Sequence, residues 1–98
     1  MVGAAQPHYV TETQILRRVA NDPNCGWRFT KHAEQEMGND GWTADDVKHA
    51  VMNGRVILEE HKRDVLWRVV GRDFDGNQIQ VVVAVYEGSI KIKVVTAF

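Results

Sequence analysis

The chain is poor in the residues that staple, kink or anchor a protein: 98 residues hold one cysteine, two prolines and no long apolar run. With no partner for an internal disulfide at Cys25, the fold must hold by packing alone, and a reducing cytoplasm is the expected compartment. Nothing approaches the roughly 20 consecutive apolar residues of a membrane helix. The opening "MVGAAQPHYV" also lacks the charged and apolar blocks of a signal peptide, so no membrane partner is expected. Neither sign of charge dominates, because 12 Lys or Arg face 13 Asp or Glu for a net charge of -1. There is no overall pull toward nucleic acid, and any basic site must be local. The four histidines, at 8, 32, 49 and 61, lack the spacing of a metal site, and a lone thiol adds little. No glycine-rich phosphate loop follows a strand, so neither metal nor other cofactor is expected.

What is present suits one small folded domain over 1–98, with 44% hydrophobic and 26% charged residues. Residues 1–9 read as a flexible tail. An extra N-terminal helix is expected over 10–22, with Thr11 and Gln14 as a capping box and Val10 stapled to Ile15. It stops at "NDPN", where Pro23 cannot continue it. A second helix should start near Thr30 and break in "GNDG". A third should start at Thr43, with Asp45 and Asp46 at its positive end and Gly54 as its C-terminal cap.

Beyond Arg55 the period changes from helix to strand. Runs of Val, Ile, Trp and Tyr over 55–61, 65–72, 78–86 and 89–97 are separated by turn sequences such as "DFDGN" and "EGS". The expected fold is α+β, with N-terminal helices on one face of a C-terminal antiparallel sheet of about four strands. A two-residue turn at Asp75 and Gly76 would place Arg68 on the apolar face of Val81, Val83 and Val85. A three-residue loop of Phe74, Asp75 and left-handed Gly76 places Trp67 and Val69 there instead, and that register is preferred. A two-residue turn at Glu87 and Gly88 pairs Val85 with Ile90, Val83 with Ile92 and Val81 with Val94.

The other face then carries Arg68, Arg72, Tyr86, Lys91 and Lys93 among smaller residues, with Arg68, Val82 and Lys93 in one cross-strand row. Such a face suits a phosphate-bearing, base-stacking ligand. It also suits a plain solvated sheet, the reading that spacing alone favours. His32, two residues past the Thr30 cap, sits where the helix dipole favours neutral imidazole, as a proton-transfer group needs; a structural histidine is the alternative. Lys31 beside it is a cation at a helix start, tolerated there if an anion is shared with Arg68.

The order of "FTKHA", "GWTADDVKHAVMNGRVI", "VLWRVVGRDFDGNQIQVVVAV" and "KIKVVTAF" resembles a family of small bacterial domains, over residues 28–98. That family is similar in layout to the MqsR and BrnT toxins and so to the RelE-like ribonucleases. The resemblance implies a RelE-like fold and a toxin of a toxin–antitoxin pair, acting on mRNA as a metal-independent endoribonuclease. The implied partner is a cognate antitoxin of zinc-ribbon or helix-turn-helix type. The family's histidine falls on His32 and its basic strand position on Arg68. Cleavage would then use His32 as base or acid, Arg68 and Lys93 on the phosphate, and Tyr86 as donor or stacking platform, with Lys31, Arg72 and Lys91 holding RNA. The family's glycine–aspartate pattern falls on Gly71, Asp73 and Gly76 and reads as turn chemistry. A non-catalytic protein-interaction module of the same fold is the alternative.

Overall fold

The computed structural model describes residues 8–98, so most of the expected tail over 1–9 lies outside the described residues. The elements run α1 (Val10–Ala20), β1 (Gly26–Phe29), α2 (Lys31–Asp40), α3 (Ala44–Met52), β2 (Arg55–His61), β3 (Val65–Arg72), β4 (Gln78–Tyr86) and β5 (Lys91–Ala97). The class is α+β, with the helices packed on one face of the sheet. The sheet has five strands rather than four, in the order β1-β5-β4-β3-β2, and it is mixed because β1 runs parallel to β5. Four residues, "GWRF", are too short to display a strand period, and this strand owes its place to its flanks. The amide of Gly26 donates to the Ile90 carbonyl at 2.9 Å, and that of Thr30 donates to Val94 at 3.0 Å.

Local chemistry explains the helix starts. Thr30 caps α2 by accepting from the Ala33 amide, and left-handed Gly41 ends that helix. Thr43 and Asp46 form a reciprocal capping box on α3, each side chain accepting from the other's backbone amide at 3.1 Å. The start of α1 differs from expectation. Its cap is Tyr9, left-handed and without a side-chain hydrogen bond, and Val10, the expected staple, is 61% exposed. The hydroxyl that matters there is on Thr13, which accepts from the Val56 amide at 2.9 Å and ties α1 to β2.

Two glycines do work other than the turn chemistry expected of them. Gly54 does not cap α3 in a left-handed conformation, and Asn53 takes the C-cap position. A Cβ on Gly54 would lie 2.7 Å from the Ala50 carbonyl oxygen. Gly71 lies inside β3, and a Cβ there would collide with the same Ala50 carbonyl. Both glycines let α3 sit directly on the sheet. Gly76, at φ 84°, is the true turn glycine.

The three-residue hairpin loop holds, with Trp67 opposite Val83 and Val69 opposite Val81. The next hairpin does not follow the two-residue turn. Ile90 turns left-handed at φ 53° and lengthens the connection, so Val85 pairs with Ile92 and Val83 with Val94. A bulge then sets Val81 against Ala97. A slip of two residues keeps every side chain on its own face. Val69, Val81, Val83, Ile92 and Val94 are therefore fully buried with Leu16, Val47 and Val51, as the apolar pattern requires. Each such side chain contributes roughly 1.5–3 kcal/mol by leaving water.

Candidate functional site

The slipped register decides which cations meet on the open face. Arg68 lies opposite Val82, and Val82 opposite Thr96, while Lys93 lies opposite Ala84. The row expected to hold both Arg68 and Lys93 is thus broken. From the strand geometry they are about 7 Å apart along the sheet and about 10 Å across it. Beyond β5, the fifth strand β1 brings Arg28 beside Lys93 and Gly26 beside Lys91. The result is an open pocket of about 640 Å³ with Arg28, Tyr86, Lys91 and Lys93 in its wall.

Asp64 organises this pocket. It precedes β3 at the end of the "HKRD" turn, where the hairpin register carried outward sets it opposite Tyr86. Its Oδ2 accepts from the Tyr86 hydroxyl at 3.0 Å and from the Lys93 ammonium at 3.1 Å. The Lys93 hydrogen bond, reinforced by Tyr86, holds the Asp64 carboxyl below the usual carboxylate range. The same bond pushes the Lys93 ammonium up from its ordinary value. At neutral pH both are charged, so Lys93 acts as a fixed cation and Asp64 as an orienting acceptor. The sequence contains the signal for Asp64, since extending the Trp67–Val83 register by three positions reaches it.

The remaining candidates are dispersed. Arg68 lies mid-face with its guanidinium 4.9 Å from the Phe98 ring centroid, and its Nε is enclosed without a partner among the described residues. Arg72 stands opposite Gln78 and Lys91 opposite Tyr86, the two ends of β4. Eight residues separate those ends, about 27 Å of strand. Lys31 and His32 are exposed at the start of α2, on the strip where Thr30 donates to the Val95 carbonyl at 2.7 Å. No hydrogen bond or ion pair joins them to Arg68 among the described residues. His61 lies near Glu59, which accepts from the Trp67 indole at 2.7 Å. Among the described residues no three His, Cys, Asp or Glu side chains are grouped to hold a metal ion, and no helix is long and apolar enough to cross a membrane.

A family model described as a domain of unknown function (DUF4258) matches residues 29–98. The chain belongs to the DUF4258 family. The match begins one residue inside the segment that carries the family resemblance. It takes in α2, α3 and β2 to β5, and so includes Asp64, Tyr86, Lys91 and Lys93, while α1 and Arg28 fall outside it. No curated protein and no solved structure matches the chain.

Proposed function

We propose that this DUF4258 domain is the toxin of a toxin–antitoxin pair and cleaves mRNA on the open face of its sheet without a metal ion. The observation that carries the reading is the pocket in which Lys93, Lys91 and Arg28 surround a tyrosine held by Asp64. Metal-independent cleavage joins the ribose 2'-oxygen to phosphorus and breaks the bond to the 5'-oxygen. A base takes the 2'-proton and an acid gives one to the leaving oxygen. Lys93 and its neighbours supply positive charge where the phosphorane becomes more negative. Tyr86 is the proton donor or the stacking surface, with its hydroxyl positioned by Asp64. His32, at the start of α2, is the base or acid, and Arg68 and Lys31 hold the strand on either side. The resemblance to RelE-like toxins supports the same chemistry, with an antitoxin of zinc-ribbon or helix-turn-helix type as partner.

The test is to incubate folded, antitoxin-free protein with a labelled mRNA in excess EDTA. Fragments with 5'-hydroxyl ends are expected, and Tyr86→Phe or His32→Ala should slow their appearance by roughly 100-fold to 10,000-fold if either is the acid or base. Intact RNA ends the enzymatic reading. Two observations favour a non-catalytic interaction module instead: Asp64 already pairs with Lys93, and no histidine lies in the pocket wall. That reading expects unchanged growth on induced expression, whereas a ribonuclease arrests it.

A further inference from the structure

The opposite end of the sheet holds a second basic site. Arg17, Arg55 and Arg72 share an open pocket of about 620 Å³ with the hairpin residues Phe74 and Gly76. They arrive from three elements, α1, β2 and β3, so their grouping is a product of the fold and not of a local charge run. Arg17 donates from Nε to the Gly54 carbonyl at 2.8 Å and from Nη2 to that of Asn53 at 3.2 Å. Arg72 donates from Nη1 to the Gly76 carbonyl at 2.8 Å. Those bonds use two and one of the five N–H groups that each arginine carries. Arg55 makes no side-chain hydrogen bond among the described residues.

No carboxylate of the described residues lies within 4.0 Å of any of the three guanidiniums. The one acid in the pocket wall, Asp73, is buried and turned into the hairpin, where it accepts from the Asp75 and Asn77 amides at 2.9 and 2.8 Å. Backbone carbonyls therefore fix Arg17 and Arg72 in place without cancelling their charge. Fixed, unneutralised guanidiniums are suited to phosphate, since their planar forks match its oxygens and little ordering remains to be done on binding. The floor is rigid as well. The Asn53 amide accepts from the Arg72 N–H at 3.0 Å and donates to the Arg72 carbonyl at 2.9 Å, fastening the end of β3 to α3.

At the lip, Phe74 is 64% exposed and stacks on His49 with 4.2 Å between ring centroids. An exposed aromatic held flat beside an anion pocket is a surface on which a base can stack.

We infer that this pocket binds the terminal phosphate of a nucleotide through Arg17, Arg55 and Arg72, with the base against Phe74. The site is separate from the Lys93 pocket and stands whether or not that pocket cleaves RNA. The phosphate belongs either to a free nucleotide or to the 5' end of an RNA, and both present the same group.

Calorimetric titration with AMP, adenosine, inorganic phosphate and a short RNA with or without a 5'-phosphate tests it. AMP should bind more tightly than inorganic phosphate, and adenosine should not bind. Arg55→Gln, which breaks no internal hydrogen bond, should weaken AMP about 10-fold or more, the scale of one charge-assisted contact. Phe74→Ala should bring AMP down to the affinity of inorganic phosphate. Tighter binding of the 5'-phosphorylated RNA than of the unphosphorylated one, lost in Arg55→Gln, assigns the site to an RNA end, and equal binding of the two RNAs beside Arg55-dependent binding of AMP assigns it to a free nucleotide. Equal binding of AMP and inorganic phosphate overturns the nucleotide assignment. Failure of every phosphate probe to bind, or AMP binding unaltered by Arg55→Gln, overturns the site.

Discussion

The two basic ends of the sheet hold their cations by different means. At the Lys93 end a carboxylate does it: Asp64 pairs with Lys93 and Tyr86, and the local charge is partly cancelled before any ligand arrives. At the Arg72 end backbone carbonyls do it, so the guanidiniums are oriented while their charge stays whole. Charge count alone does not rank two candidate anion sites. What matters is whether the group that orients the cation also competes with the ligand.

The ends differ most in their tolerance of added volume. Gly71 lines the arginine pocket, and a methyl there would strike the Ala50 carbonyl, which neither backbone can vacate without lifting α3 from the sheet. Gly88 sits beside the Lys93 pocket, where an added methyl would meet nothing within 4 Å and the backbone has no left-handed φ. Gly71→Ala should cost about 3 kcal/mol or more, at or beyond the upper range for overpacking. Gly88→Ala should stay within about 1 kcal/mol of the parent. Urea melts of the two variants make the check, and equal midpoints would show that the close approach of α3 and β3 is not the constraint described.

Ligand binding separates the ends next. Lys93→Ala should weaken RNA and lower the salt slope by about one phosphate contact. Asp64→Asn should act the opposite way, raising affinity by removing a negative charge from the pocket while Tyr86 keeps an acceptor. At the arginine end the acid in the wall, Asp73, is turned into the hairpin, and only losses are expected from substitution of the arginines. Filter binding across a salt series distinguishes these outcomes. Weaker binding by Asp64→Asn would mean that the carboxylate's orienting role outweighs its competition.

Much of this is legible in the chain. All four long strands and all three helices follow from periodicity, because each spans several repeats of its own pattern, and capping residues mark the starts of α2 and α3 but not that of α1. The inner face is readable because Val81, Val83 and Val85 tolerate only one register of the preceding hairpin. The losses have common physical causes. Gly26–Phe29 is too short to carry a period and is held by bonds to Ile90 and Val94, more than 60 residues away in sequence. Ile90 adopts a left-handed conformation that β-branched residues rarely take, so a turn of "EG" looks complete without it. That slip of two residues moves Lys93 out of the Arg68 row, and the unread strand β1 sets Arg28 beside it, which together change the membership of the site without changing the face. Asp64 escapes a reading of the sequence because a polar residue in a turn looks like punctuation, and Gly71 because a glycine near a hairpin looks like part of it.

The smallest expected effect is in stability against pH, and it again separates the ends. The carboxyl of Asp64 is lowered in the folded state, so its contribution is present above the ordinary carboxylate value and is lost as pH falls through the lower folded value. Lys93 is raised, so its contribution is present below the ordinary lysine value and is lost as pH rises through the higher folded one. Together they give the Lys93 end a plateau from about pH 4 to about pH 10. The arginine end has no such limits, because the acceptors that anchor it are backbone carbonyls, which do not titrate. Thermal melts at closely spaced pH should therefore show Asp64→Asn lowering the melting temperature slightly on the plateau and converging with the parent at either extreme. Arg72→Gln should displace the curve by the same amount at every pH. Since the Asp64 pair is partly solvated, both offsets are expected to be small and the first should shrink in high salt. An Asp64→Asn offset that persists below pH 3 would place its origin in lost packing or backbone contacts rather than in the ion pair, and the contrast between the two ends would then not be one of charge.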